Sequence, residues 1–252
     1  MHRSMTYSLQ FLSVVVPAYM QEKTIRQDIN RIMKTLDGLE LKYEIIVVVD
    51  GIVDKTYEEA KKITSGKLRV LKYVKNEGKG HAIRYGMLHA KGDIIGFIDA
   101  GMDINTAGLT MLLSHMEWYN ADIIVGSKLH PVSKVQYPMY RTVLSWGYRT
   151  INKILFGFKI RDTQVGLKFF KRDVVQDVLP RLLVKRYAFD IEMLAVAYAL
   201  GYTRIYEAPI EINFKSGSIT SANLWRVIFY MLWDTLAVFY RLRIMRYYTN
   251  IS

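Results

Sequence analysis

The sequence predicts an α/β protein built on a mostly parallel sheet flanked by helices, and three observations predict it. Continuous apolar runs alternate with amphipathic ones. The runs are rich in Val and Ile, as strands buried on both faces are. Each run ends in polar residues, Gly or Pro, where ligands of such sheets bind. At 252 residues and 51% hydrophobic, the chain has ample material for one such core.

The first run, "LSVVVPAY", follows His2 and Arg3 and superficially resembles a secretion signal. Pro17 and the charged "QEKTIRQD" come at once after it, so it reads as a first core strand. "KTIRQDINRIMKTL" then has helical periodicity, and the alternation repeats through "EIIVVVDG", "DKTYEEAKKIT", "LRVLKYV", "GHAIRYGMLHA", "DIIGFIDAG", "TAGLTMLLSHMEWY" and "ADIIVGS". Strand–helix–strand repeats of this kind imply right-handed crossovers in a Rossmann-like sheet. After Lys128 the pattern changes to a Tyr- and Arg-rich segment, "YPMYRTVLSWGYRTINKILFG", then the polar "DTQVGLKFFKRD" and the helix-like "FDIEMLAVAYALG". A strand pair in "TRIYEAPIEINFK" precedes an apolar C-terminal helix. With no linker or repeat in view, the expected division is one domain over residues 8–216 and an amphipathic, membrane-surface helical extension over residues 217–252.

Lys and Arg number 35 against 23 acids, a net charge of +12, so the protein's field attracts anions such as phosphorylated substrates, anionic lipid or nucleic acid. Aromatic-interleaved RNA-binding signatures are missing, so nucleic acid is not an expected partner. Cys is absent, which excludes disulfides and thiolate metal sites, and the five His show no paired ligand spacing. Any metal must then rest on oxygen ligands. No run reaches the roughly 18 apolar residues of a membrane span; the nearest, Val227 to Tyr240, is interrupted by Asp234.

Strand ends supply the candidate site. In "GFIDAGMDI", Asp99 and Asp103 lie four apart after a buried run; two such acids make either a divalent-metal pair or a turn and helix cap. Asp50 ends the second run and is suited to accept from a base or ribose, while Asp54 reads as the cap of the next helix. Lys79 stands between glycines in "NEGKGHA" at a strand-to-helix junction, where backbone and ammonium can approach phosphate; the same loop is often a plain turn. Lys128, Arg141, Ser145 and Lys215 form a set able to hold an anionic acceptor, although any one of them alone reads as solvated surface.

Taken in order, "VVVPAYMQE", "VDGIVDKT", "NEGKGHAIRYGMLHAKGD", "IDAGMD", "GSK", "YRTVLS", "DTQVGLKFF" and "FDIEML" resemble family 2 of the inverting nucleotide-sugar glycosyltransferases, which have the GT-A fold. The resemblance runs from Val14 to about Lys215 and is closest to the dolichyl-phosphate mannose synthase and polyprenyl-phosphate glucosyltransferase branch. It implies transfer of a hexose, mannose or glucose, from a GDP- or UDP-sugar to a polyprenyl phosphate, with Mg2+ or Mn2+. It further implies that Pro17, Tyr19, Glu22 and Asp50 hold the nucleotide with Lys79 beside it, and that Asp99 contacts diphosphate and metal. Gln164 would line the reaction centre, and Lys128, Arg141 and Ser145 would bind the lipid phosphate, with Lys215 at the position of a further acceptor-binding Arg. The chain departs from the family at Met20, Val49, Ile52 and Gly101; Gly101 replaces the second acid of the strand-end motif, leaving Asp103 as its candidate substitute. Asp190 would position an acceptor-side helix or polarise the reaction centre; were the acceptor a sugar hydroxyl, Asp190 or Asp162 would be its base. A binding module that has lost transfer is the other reading these departures allow.

The extension carries Trp225, Phe229, Trp233 and Phe239 with Arg226, Arg241, Arg243 and Arg246, residues expected at a bilayer interface or, alternatively, in a helix docked on the domain. Peripheral attachment to the cytoplasmic membrane face, a membrane-embedded partner subunit or a homodimer are the corresponding expectations.

Overall fold

The computed structural model describes residues 11–101, 104–135, 139–158, 160–212 and 221–250, with the backbone alone at 134–135, 139–144 and 221–225. The elements run β1 Phe11–Ala18, α1 Ile25–Asp37, β2 Lys42–Asp50, α2 Thr56–Lys61, β3 Leu68–Tyr73, α3 Lys79–Leu88, β4 Ile94–Ile98, α4 Ala107–Trp118 and β5 Ile123–Ser127. They continue with β6 Lys134–Val135, α5 Met139–Phe156, β7 Leu167–Lys171, α6 Arg172–Val178, α7 Phe189–Ala199, β8 Ile205–Pro209, β9 Glu211–Ile212 and α8 Ser221–Phe239, which passes into a π-helical turn, Tyr240–Ile244.

Seven strands form one sheet in the order β3-β2-β1-β4-β7-β5-β8, parallel except for β7, which runs antiparallel to both β4 and β5. The expected mostly parallel sheet is therefore present. Two details differ from the sequence reading. The antiparallel β7 comes from "LKFFK", read from sequence as part of a polar segment. The expected strand pair near the C-terminus is not a hairpin: β8 joins the main sheet beside β5, while β9 pairs with β6 in a separate two-stranded sheet.

Period-two alternation divides the core between the two faces. On β2, Ile46 and Val48 point to one cluster and Ile45, Val47 and Val49 to the other; β4 does the same with Ile95 and Phe97 against Ile94 and Ile98. Helix α1 covers the second face with Ile25, Ile29, Ile32 and Leu36, spaced so that they share one stripe. Helices α3, α6 and α7 cover the first. Strand order reverses between β1 and β4, which makes their carboxyl ends the topological switch point, where a crevice opens.

The C-terminal segment packs onto this domain. Thr235, Val238 and Tyr248 are buried, Tyr148 of α5 and Thr235 of α8 share a hydrogen bond of 2.8 Å, and the rings of Phe156 and Phe239 stand 6.3 Å apart. The outer side of α8 and its π-turn instead exposes Phe229, Trp233, Leu236, Tyr240 and Ile244. The side chain of Trp225 lies outside the described residues.

Candidate active site

A cavity of about 410 Å³ opens at the switch point, lined by Pro17, Ala18, Tyr19 and Gln21 after β1, Asp50 at the end of β2, and Asn76, Gly78 and Lys79 before and at the start of α3. Asp99 and Ala100 after β4 and Arg186 and Tyr187 ahead of α7 complete it. Pro17, Tyr19, Asp50, Lys79 and Asp99, named from the sequence, thus converge on one space.

Asp50 builds the wall. Its carboxylate accepts from Tyr73 Oη at 2.9 Å, Asn76 Nδ2 at 3.0 Å, Glu77 N at 2.8 Å and Gly78 N at 3.0 Å, so its lone pairs are spent on folding the loop that carries Lys79. Gly78 has φ +103°, a conformation that disfavours side chains, and a Cβ there would meet Lys185 O at 2.8 Å. The loop is therefore pinned from both sides. Burial and the Asp50 charge push the Tyr73 phenol upward, keeping it a donor.

Lys79 is the cation that meets Asp99 in the cavity. Its Nζ donates to Asp99 Oδ2 at 2.7 Å and lies 3.9 Å from Asp190 Oδ2. Burial works to lower its pKa, but Asp99 and Asp190 outweigh it and hold the ammonium above its ordinary value. Asp99 keeps its other oxygen, Oδ1, buried with no hydrogen-bond partner. Its backbone N donates to Gly166 O at 2.8 Å, and a Cβ on Gly166 would sit 1.8 Å from Asp99 Oδ2. The glycine inside "DTQVGLKFF" is thus the space that Asp99 occupies. Gly166→Ala is expected to displace the Asp99 carboxylate and cut activity at least as far as Asp99→Asn does; initial rates and a thermal melt check this.

Behind Lys79 lies a second layer. Lys168 of β7, 1% exposed, donates to Asp190 Oδ1 and to Val165 O at 2.6 Å. Burial pushes its pKa down, and the Asp190 charge acts against that. Two ammoniums therefore hold Asp190, itself buried in the first turn of α7 and absent from the cavity lining.

A third group sits at the end of β5. Asp162 accepts from Lys128 N at 3.0 Å and Gln164 N at 3.3 Å, and Lys128 Nζ lies 3.8 Å from it. Gln164 does not line the cavity; its Nε2 is buried without a partner. Ser145 is exposed on α5. The side chain of Arg141, and Asp103 and Lys215 altogether, lie outside the described residues. Glu22 also lies off the cavity lining: its carboxylate accepts from Lys55 N at 3.2 Å and its N donates to Asp54 Oδ2, a brace between the β1 and β2 loops. Asp54 also accepts from Thr56 N at 3.0 Å in a turn ahead of α2, but the N-cap position expected of it is held by Lys55, one residue later.

The sequence reading did not single out Arg186 and Tyr187, which lie one residue, Ala188, ahead of the quoted "FDIEML", or Lys168, which lies inside the quoted "DTQVGLKFF".

An open α/β sheet with a cavity at its switch point, where an acid and a lysine meet, has the architecture of a ligand-binding α/β protein. The Glycosyl transferase family 2 model matches residues 13–179, and the chain belongs to that family. It is 34% identical over 219 residues to the dolichyl-phosphate β-glucosyltransferase of Homo sapiens, covering 81% of this chain and 67% of that one. Against its Drosophila melanogaster counterpart it is 34% identical over 202 residues, 74% of this chain and 62% of the other, so it spans about two thirds of these curated relatives. Among solved structures, glucosyl-3-phosphoglycerate synthase from Mycobacterium tuberculosis, in complex with Mn2+, UDP and phosphoglyceric acid, superposes with TM-score 0.69 at 19% identity, covering 92% of this chain and 78% of that one. The fold is thus GT-A, as in that neighbour. The sequence resemblance to mannose synthases is secondary to that with glucosyltransferases.

Proposed function

We propose that the chain transfers glucose, with inversion, from a nucleotide-diphosphate glucose to dolichyl or another polyprenyl phosphate. The relatives' names support glucose over the mannose also expected from the sequence, and a β-linked product is what inversion of an α-linked donor gives. The observation that carries the acceptor class is the lack of an available base among the described residues. The acids lining the cavity are Asp50, spent on its loop, and Asp99, paired to Lys79. Asp190 and Asp162, the candidate bases for a hydroxyl acceptor, are engaged by lysines and backbone outside the lining. A phosphate acceptor, with second pKa near 6, arrives already ionised and needs no base.

The unpartnered Asp99 Oδ1 fits a divalent cation, and no cluster of three His, Asp or Glu exists among the described residues to hold one without ligand oxygens. Mg2+ or Mn2+ on Asp99, with Asp103 as the proposed second ligand, would offset the charge of the departing diphosphate. The chain's own part is placement. Lys79 adds fixed positive charge beside Asp99, Asp50 and Asn76 set the loop that receives the nucleotide, and Lys128, Arg141, Ser145 and Lys215 are assigned to the acceptor phosphate. Calorimetric titration with UDP and with GDP, each with Mn2+, tests the donor; UDP is the expected ligand, and binding of neither contradicts the reading.

We further assign the domain over residues 8–216 to catalysis and the segment 217–252 to peripheral attachment at the cytoplasmic membrane face. No helix among the described residues is long and apolar enough to cross a membrane. The exposed Phe229 and Trp233, 63% and 64% accessible, beside Arg226, Arg241 and Arg243 support interfacial docking. Phe229→Ala with Trp233→Ala is expected to reduce cosedimentation with phosphatidylserine vesicles several-fold. Undiminished cosedimentation would assign this face to a membrane-embedded partner or a second copy.

A further inference from the structure

Glu192 is fully buried, and a buried carboxylate is costly unless its partners are in place. Its partners come from two distant segments. From the stretch before α7, Leu183 N donates at 3.0 Å and Val184 N at 2.8 Å. From the end of the chain, Tyr248 Oη donates at 2.6 Å, with Arg241 Nη1 3.6 Å away. Arg241 also donates to Tyr248 Oη at 3.3 Å, and Arg181 Nε donates to Tyr248 O at 3.0 Å. Burial raises the carboxyl's proton affinity, and the phenol and the two amides oppose this.

The stretch held by Glu192 is the one that reaches the cavity. Two residues past Val184 come Arg186 and Tyr187, both in the lining. Its other fastening is to the Lys79 loop, where His81 N donates to Lys185 O at 3.0 Å and Lys185 Nζ pairs with Glu77 at 2.9 Å. Residues 183–187 are thus a strap fixed at one end to α3 and at the other, through Glu192, to Tyr248.

We propose that Glu192 and Tyr248 are a positioning pair that sets Arg186 and Tyr187 against the donor, so that the C-terminal segment governs donor affinity without touching the cavity. The choice of ligand rests on the proposed function; the linkage itself does not. Tyr248→Phe removes only the hydroxyl, and Tyr202→Phe, which removes a hydroxyl bonded to Asp177, is its control. Hydrogen–deuterium exchange over residues 183–188 is expected to accelerate in Tyr248→Phe and remain as wild type in Tyr202→Phe. Donor KM is expected to rise about 3–10-fold, the scale of one hydrogen bond, with kcat retained. Glu192→Gln, which keeps one acceptor oxygen, is expected to fall between Tyr248→Phe and Glu192→Ala in exchange rate. Unchanged exchange in Tyr248→Phe, or a lowered kcat at constant KM, overturns the linkage. If wild type binds neither UDP nor GDP, the functional reading fails while the exchange result still decides the strap.

Discussion

Asp99→Asn is expected to lower glucosyl transfer by on the order of 10²–10³-fold, the scale seen when a group that stabilises transition-state charge is removed. The substitution keeps the shape and deletes the charge. Lys79 then loses the countercharge of its 2.7 Å partner, and the buried Oδ1 ceases to be an anionic ligand. Both halves of the electrostatic arrangement proposed to face the diphosphate fail together, which is why the effect should exceed that of losing one hydrogen bond. Initial rates at saturating donor measure it, with Mn2+-dependent UDP affinity as the companion readout. Activity within twofold of wild type would remove Asp99 from the site.

Lys168→Met is expected to destabilise the fold by about 3–5 kcal/mol, the usual cost of removing one member of a buried ion pair. Asp190 is 4% exposed, and without Lys168 its nearest countercharge is Lys79, 3.9 Å away and already bound to Asp99. Asp190→Asn added to Lys168→Met should recover much of the loss, because the uncompensated charge is then gone. Urea unfolding of the single and double variants tests this; equal stability of the two would show that the pair's charge is not the source. The consequence for function follows from the same geometry. In the proposed function, Asp190 acts through Lys79, 3.9 Å away, as a positioning residue and takes no proton from the acceptor.

What the sequence made legible follows from what is local. Strands β1, β2, β4 and β5 are buried on both faces, so their Val- and Ile-rich runs stand out and their ends locate Pro17, Asp50 and Asp99. Lys79 was legible because glycines flank it. Strand β7 was not: five residues with Lys168 and Lys171 among them match no apolar run, and its place between β4 and β5 is set by pairing with strands far away in the chain. Missing β7 meant missing Lys168 as the buried partner of Asp190. Arg186 and Tyr187 were hidden for a similar reason, since only the packing of the strap against α3 carries them to the cavity. Glu22 sits close in sequence to Tyr19 and Gln21, yet its carboxylate turns to Lys55 N, a contact 33 residues away.

The central claim is transfer to an acceptor that arrives ionised, and acceptor dependence tests it most directly. Radiolabelled UDP-glucose with Mn2+ should be offered to the protein with dolichyl phosphate, with dolichol and with a free sugar in parallel. Label is expected in the lipid phase with dolichyl phosphate alone, as the β-anomer. Equal transfer to dolichol or to the sugar would mean that a base exists which the cavity does not present, and would contradict the account.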